Sequence, residues 1–151
     1  PYYRLISSIS LKDDISLGKS YFLSEAEAIK RMIEYVDDPV PTLALIDEIF
    51  KGTNPIERCA ASVEILNEFA RGNIKTIVAT HDLQILKQLK HYDFKYFTEQ
   101  VTVDSLDFDY KLRDGIASTK NAIRILEYIR YPKSITDRIY ERIRKNEKAN
   151  G

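Results

Sequence analysis

Four apolar residues, Leu43-Ala44-Leu45-Ile46, run directly into two carboxylates, Asp47 and Glu48. Such a run reads as a strand buried on both faces of a parallel sheet, which puts the acids at its C-terminal end, where ligands collect in open sheets. An aspartate there can hold Mg²⁺ directly or through water, because hard cations take oxygen ligands. A glutamate beside it can orient or deprotonate an attacking water. The same two acids could instead cap the loop that follows. A second apolar run, Ile74 to Ala79, exits through Thr80-His81-Asp82 and would deliver His81 to the same rim. A histidine in that place can sense a terminal phosphate or position water, or simply bond a loop carbonyl. Between the two strands, Gly52 permits a sharp backbone path, and Thr53 and Asn54 offer polar contacts. Asn54 would serve equally as the N-cap of the next helix.

Gly18-Lys19-Ser20 imitates the end of a phosphate-binding loop, G-x-x-x-x-G-K-[ST]. The position that needs the first glycine holds Asp13, and the preceding Leu11-Lys12-Asp13-Asp14 is too polar for the buried strand that should lead into such a loop. The chain has no other Gly-Lys-Ser or Gly-Lys-Thr, so it carries no Walker A motif.

The elements that must position these residues follow from periodicity. Residues 2–9 read as a short strand or its exit and 11–20 as a polar loop. A helix starts near Ser24, with Glu27 completing a capping box and Phe22, Ala26, Ile29, Ile33 and Val36 on its apolar face. Asp37-Asp38-Pro39 ends it. After the strand at 43–46, a second helix places Ile56, Cys59, Ala60, Val63, Leu66 and Ala70 on one side, and Gly72-Asn73 stops it. The strand at 74–79 and a short helix at 83–90 complete a parallel crossover pattern. Leu106, Phe108, Tyr110 and Leu112 alternate with charged residues, as in a strand with one wet face, and pair with 94–103 in an antiparallel hairpin turning at Asp104-Ser105. Helices at 119–130 and 134–147, capped by Ser118 and Ser134 and separated by Tyr131-Pro132, close the chain.

The 151 residues suffice for one domain, and 44% hydrophobic with 30% charged residues is a globular composition. Lys+Arg and Asp+Glu both total 23, a zero net charge that argues against a main nucleic-acid-gripping surface. The single cysteine, Cys59, excludes an internal disulfide framework and suits a reducing compartment. No apolar run approaches membrane length and the start lacks a signal-peptide profile, so a cytoplasmic location is expected. Pro1 in place of methionine suggests processing or an excised piece of a longer chain.

Taken together, these segments resemble the MutS family of DNA mismatch-repair ATPases. Ser10 to Phe22 resembles the family's loop ending in Gly-x-Ser-Thr-Phe. Leu45 to Asn54 is similar to its Walker B motif and D-loop, Ala79 to Asp82 to its switch segment, and Gly115 to Ile135 to its end segment. The resemblance implies an α/β fold: the C-terminal part of an ABC-like P-loop NTPase domain, with the signature loop at 10–22, Walker B and D-loop at 43–54, the switch histidine at 79–82 and C-terminal helices at 118–148. It implies ATP and Mg²⁺ as ligands, with Asp47 on the metal, Glu48 activating water and His81 sensing the terminal phosphate. Ser20 would reach the nucleotide of a second copy in a dimer, and Gly52, Thr53 and Asn54 would line the nucleotide site. DNA is a partner of the parent protein by resemblance only. Phe50-Lys51 replaces the family's usual Gly-Arg and Tyr21 its threonine, which points to a MutS-related branch.

Two rival readings stay open. The chain could be a non-catalytic module that dimerises through its signature loop and C-terminal helices. It could also be a metal-dependent phosphoesterase built on Asp47, Glu48, His81 and Asp82.

Overall fold

A computed structural model of the chain describes residues 2–9, 21–102, 104–117 and 121–149; the segment 10–20, with Ser20, and the expected cap Ser118 lie outside the described residues. The chain divides into two compact units, Pro1–Tyr92 and Asp93–Gly151.

The first unit is α/β. Strands β1 (Arg4–Ser8), β2 (Thr42–Asp47) and β3 (Ile74–Ala79) form a parallel sheet in that order. Helices α1 (Tyr21–Ile33) and α2 (Pro55–Arg71) lie in the crossovers, and the single turn α3 (Leu83–Leu86) follows β3. The expected strand–helix–strand order therefore holds.

The sheet is not buried on both faces as the apolar run of β2 suggests. Thr42, Ala44 and Ile46 are buried, whereas Leu43, Leu45 and Asp47 between them are only half-buried. The register sets Leu5 beside Leu43 and Ile77 beside Leu45, so these residues share the more open face. Leu5 and Ile77 are largely exposed there. Parallel sheets usually have both faces covered; among the described residues only one is.

Two helix faces are also rotated from their expected positions. α1 is already helical at Tyr21, so Ser24 and Glu27 sit inside it and form no capping box at its start. It buries Glu25, Ala28, Ile29 and Met32, while Ile33 is exposed. The displacement arises because a glutamate, which periodicity assigns to solvent, occupies an inward position. α2 buries Ser62, Val63, Leu66 and Phe69, leaving Ile56, Ala60 and Ala70 exposed. Gly72 stops α2 as expected, with extended backbone, φ −91°. Its reason is space: a Cβ there would stand 2.6 Å from the Val36 carbonyl oxygen and collide with the Val36 side chain.

In the second unit the expected hairpin is split into two short antiparallel ladders. β5 (Glu99–Val101) pairs with β6 (Leu106–Phe108), and β4 (Lys95–Tyr96) with β7 (Arg113–Asp114). The turn between β5 and β6 falls as expected, closed by Thr102 N–H on the Ser105 carbonyl at 2.8 Å. Phe108, Tyr110 and Leu112, read as the dry side of one strand, are exposed, and Tyr110 breaks the strand with φ 54°. Helix α4 (Ala122–Tyr128) starts after Asn121 and ends before Arg130, which is left-handed at φ 64°. Helix α5 (Lys133–Ala149) begins at Lys133, so Ser134 lies in its first turn and is not its cap.

Candidate functional site

β2 and β3 end in register, Asp47 beside Ala79, so the residues that follow them meet at one rim. The Glu48 amide donates to the Ala79 carbonyl at 2.9 Å and carries the β2 backbone one step beyond the ladder. There the chain turns sharply: Glu48 and Phe50 both take left-handed backbone, φ 59° each. That conformation costs a non-glycine residue about 1–2 kcal/mol. Ile49 and Phe50, both deeply buried, anchor the turn on the apolar side.

The turn aims the Glu48 carboxylate at the exit of β3. One oxygen accepts the Thr80 hydroxyl at 3.0 Å; the other accepts the His81 amide at 3.1 Å and lies 2.5 Å from His81 Nδ1. An ionised carboxylate offers about four lone-pair directions. With three occupied, Glu48 is fixed in orientation and keeps capacity for one more donor, such as a water. Its side chain is 18% exposed, while the His81 ring is 87% exposed and accessible to a ligand.

Asp47 stands at the strand end with its side chain 41% exposed and Lys51 Nζ at 3.6 Å. Among the described residues no group of three or more His, Cys, Asp or Glu could hold a metal between them. A single open carboxylate suits a cation that keeps most of its water and takes other oxygens from a phosphate, which is how Mg²⁺ is usually held.

Asp82 belongs to the scaffold. It caps α3 by accepting from Gln84 N–H at 2.9 Å and forms an ion pair with Arg58 at 2.7 Å. Burial opposes its charge, but the Gln84 amide and then Arg58 outweigh that and hold its carboxyl below the ordinary value. Asn54 caps α2, its side chain accepting from Ile56 N–H at 2.9 Å, with Pro55 at the first helical position. Asn54 therefore performs the local role that its sequence context offered as an alternative.

The structure thus brings together Asp47, Glu48 and His81, with Gly52, Thr53 and Asn54 in the connecting segment. Ser20 lies outside the described residues. Sequence reasoning missed two contributors. Arg58 carries no signal of its own, because only the fold brings it to Asp82. Glu25 looks like any polar position on an amphipathic helix, yet it is 4% exposed and accepts from the Lys51 and Gly52 amides at 3.1 and 3.3 Å.

Comparison with known proteins covers nearly the whole chain. The family model described as MutS domain V matches residues 2–147. The chain is 27% identical over 147 residues to the DNA mismatch repair protein MutS of Natronomonas pharaonis, covering 91% of this chain and 16% of that protein. It is 24% identical over 150 residues to the DNA mismatch repair protein MutS of Thermotoga maritima, covering 97% and 19%. Against the Endonuclease MutS2 of Clostridium acetobutylicum it is 30% identical over 151 residues, covering 95% and 18%. The chain therefore spans less than a fifth of the length of these curated relatives.

Proposed function

The chain belongs to the MutS domain V family, and from that premise we propose that it supplies the hydrolytic part of an ABC-like P-loop ATPase domain in a DNA-associated MutS-like protein. The observation that carries this reading is the Glu48 carboxylate, oriented at the rim by Thr80 and His81 beside the open carboxylate of Asp47.

In this reading 43–54 act as Walker B and D-loop and 79–82 as the switch segment. Asp47 would hold Mg²⁺, directly or through water; bound there, the ion neutralises phosphate charge. Glu48 uses its remaining acceptor capacity to orient a water and take its proton as the oxygen attacks the terminal phosphorus of ATP. The bond to the bridging oxygen breaks and ADP leaves. His81, held on its Nδ1 side by Glu48, offers its exposed edge to the terminal phosphate. The segment 10–22 would place Ser20 against the nucleotide of a second copy, so the working unit is a dimer.

The chain carries no G-x-x-x-x-G-K-[ST], so the amides and lysine that cradle phosphates must come from elsewhere in the parent protein. The open sheet face with Leu5 and Ile77 fits a segment that packs against further protein. DNA contact would likewise belong mainly to other parts of the parent, since this segment has zero net charge. Among the described residues no helix is long and apolar enough to cross a membrane.

Two assays test the reading. The 151-residue chain alone should show no micromolar binding of ATP, and tight binding would contradict it. In the parent protein, Asp47→Asn should raise the Mg²⁺ concentration needed for ATP hydrolysis; an unchanged Mg²⁺ dependence would remove Asp47 from the site.

A further inference from the structure

We propose that Glu25 is a positioning residue for hydrolysis, acting from α1 on the Lys51-Gly52 backbone and through it on Asp47 and Glu48; this rests on the ATPase reading above. Glu25 is 4% exposed, which is unfavourable for a carboxylate unless its lone pairs are satisfied. It accepts from two successive main-chain amides, Lys51 N–H on one oxygen and Gly52 N–H on the other. The Lys51 side chain goes to Asp47. The buried carboxylate thus holds main chain, and it holds the chain immediately beyond the left-handed Phe50.

A second contact from the same helix reinforces it. The Phe22 ring lies 5.5 Å from the buried Phe50 ring at an interplanar angle of 60°. The start of α1 therefore grips the turn at the left-handed Phe50 itself and just beyond it, by an aromatic contact to its ring and a carboxylate on the Lys51 and Gly52 amides. Glu48 stands between this grip and the β3 exit, so a shift of α1 displaces the carboxylate that must meet the water.

The test uses the parent protein carrying Glu25→Gln, which keeps the side chain's size but leaves one acceptor oxygen for two amides. The kcat for ATP hydrolysis should fall about tenfold or more while KM for ATP stays within about twofold. Hydrogen exchange in a peptide spanning Lys51 and Gly52 should accelerate about tenfold, with peptides from the core of α2 unchanged. Glu25→Asp retains both oxygens and should keep more of kcat than Glu25→Gln; the reverse order would overturn the assignment. So would unchanged exchange at Lys51-Gly52, or a lowered melting temperature with kcat per folded molecule intact. If the wild-type parent hydrolyses no ATP, the ATPase reading itself fails, and the exchange measurement still decides whether Glu25 holds the turn.

Discussion

Among the described residues, every buried apolar side chain except Val101 lies in the unit Pro1–Tyr92. Phe69, Met32, Ile49, Leu66 and Ile85 are almost wholly enclosed there, and each such side chain stabilises the fold by roughly 1.5–3 kcal/mol. In the unit Asp93–Gly151, α4 has no buried residue and β4 and β7 are two residues long. That unit relies on polar ties: Asn121 on the Glu99 carbonyl at 3.1 Å, Arg113 on Asp109 at 2.5 Å and Arg130 on Asp104 at 3.0 Å. Exposed ion pairs contribute little, commonly about 0–1 kcal/mol each. The strained turn at Glu48 and Phe50 belongs to the unit with the core that can hold it, and the second unit should open first under native conditions.

The sharpest way to break this contrast is to remove its core. Phe69→Ala should destabilise the first unit by about 3–5 kcal/mol in denaturant titration, and a loss below about 1 kcal/mol would mean the site rests on something other than that core. Gly72→Ala comes next, at about 1–3 kcal/mol, because the added Cβ meets Val36. Full stability in that variant would show the close approach to be relaxed in solution.

Acid separates the units more gently. Asp82 in the first unit is held below its ordinary carboxyl value; in the second, hydrogen bonding from Arg113 brings Asp109 down to about 2. A depressed folded pKa contributes stability that is present above the unfolded value of 3.8 and lost as pH falls through the folded one. Thermal melts from neutral pH down to about pH 2 should therefore lose less stability in Asp82→Asn and Asp109→Asn than in wild type. Identical acid slopes would show that neither pair matters to folding. The smallest effect belongs to the exposed face of the second unit: Tyr110→Ser should change stability by no more than about 0.5 kcal/mol. A larger loss would show that the contact of its ring with Phe108 matters to stability.

The sheet and the rim were legible in the sequence because their signals are local. Apolar runs ending in Asp47-Glu48 and Thr80-His81 mark strand exits, and Asn54-Pro55 marks a helix start. Periodicity failed where a residue's environment contradicts its polarity. Glu25 and Ser62 are buried, whereas Ile56 and Ile33 are exposed, so the true faces of α1 and α2 are turned from the expected ones. Glu25 had no readable partner, since main-chain amides carry no side-chain signature. Alternation in 106–112 predicts a strand with one wet face, but on its apolar side only Leu106 is half-buried, while Phe108, Tyr110 and Leu112 are exposed.

The most direct test of the central claim is single-turnover ATP hydrolysis by the parent protein with Glu48→Gln. Glutamine keeps one oxygen that can accept the His81 amide, and its NH2 can donate to the Thr80 hydroxyl, but it cannot take a proton from water. ATP binding should persist while hydrolysis slows about a hundredfold or more. Hydrolysis at the wild-type rate in a variant that binds ATP normally would contradict the assignment of Glu48 as the base.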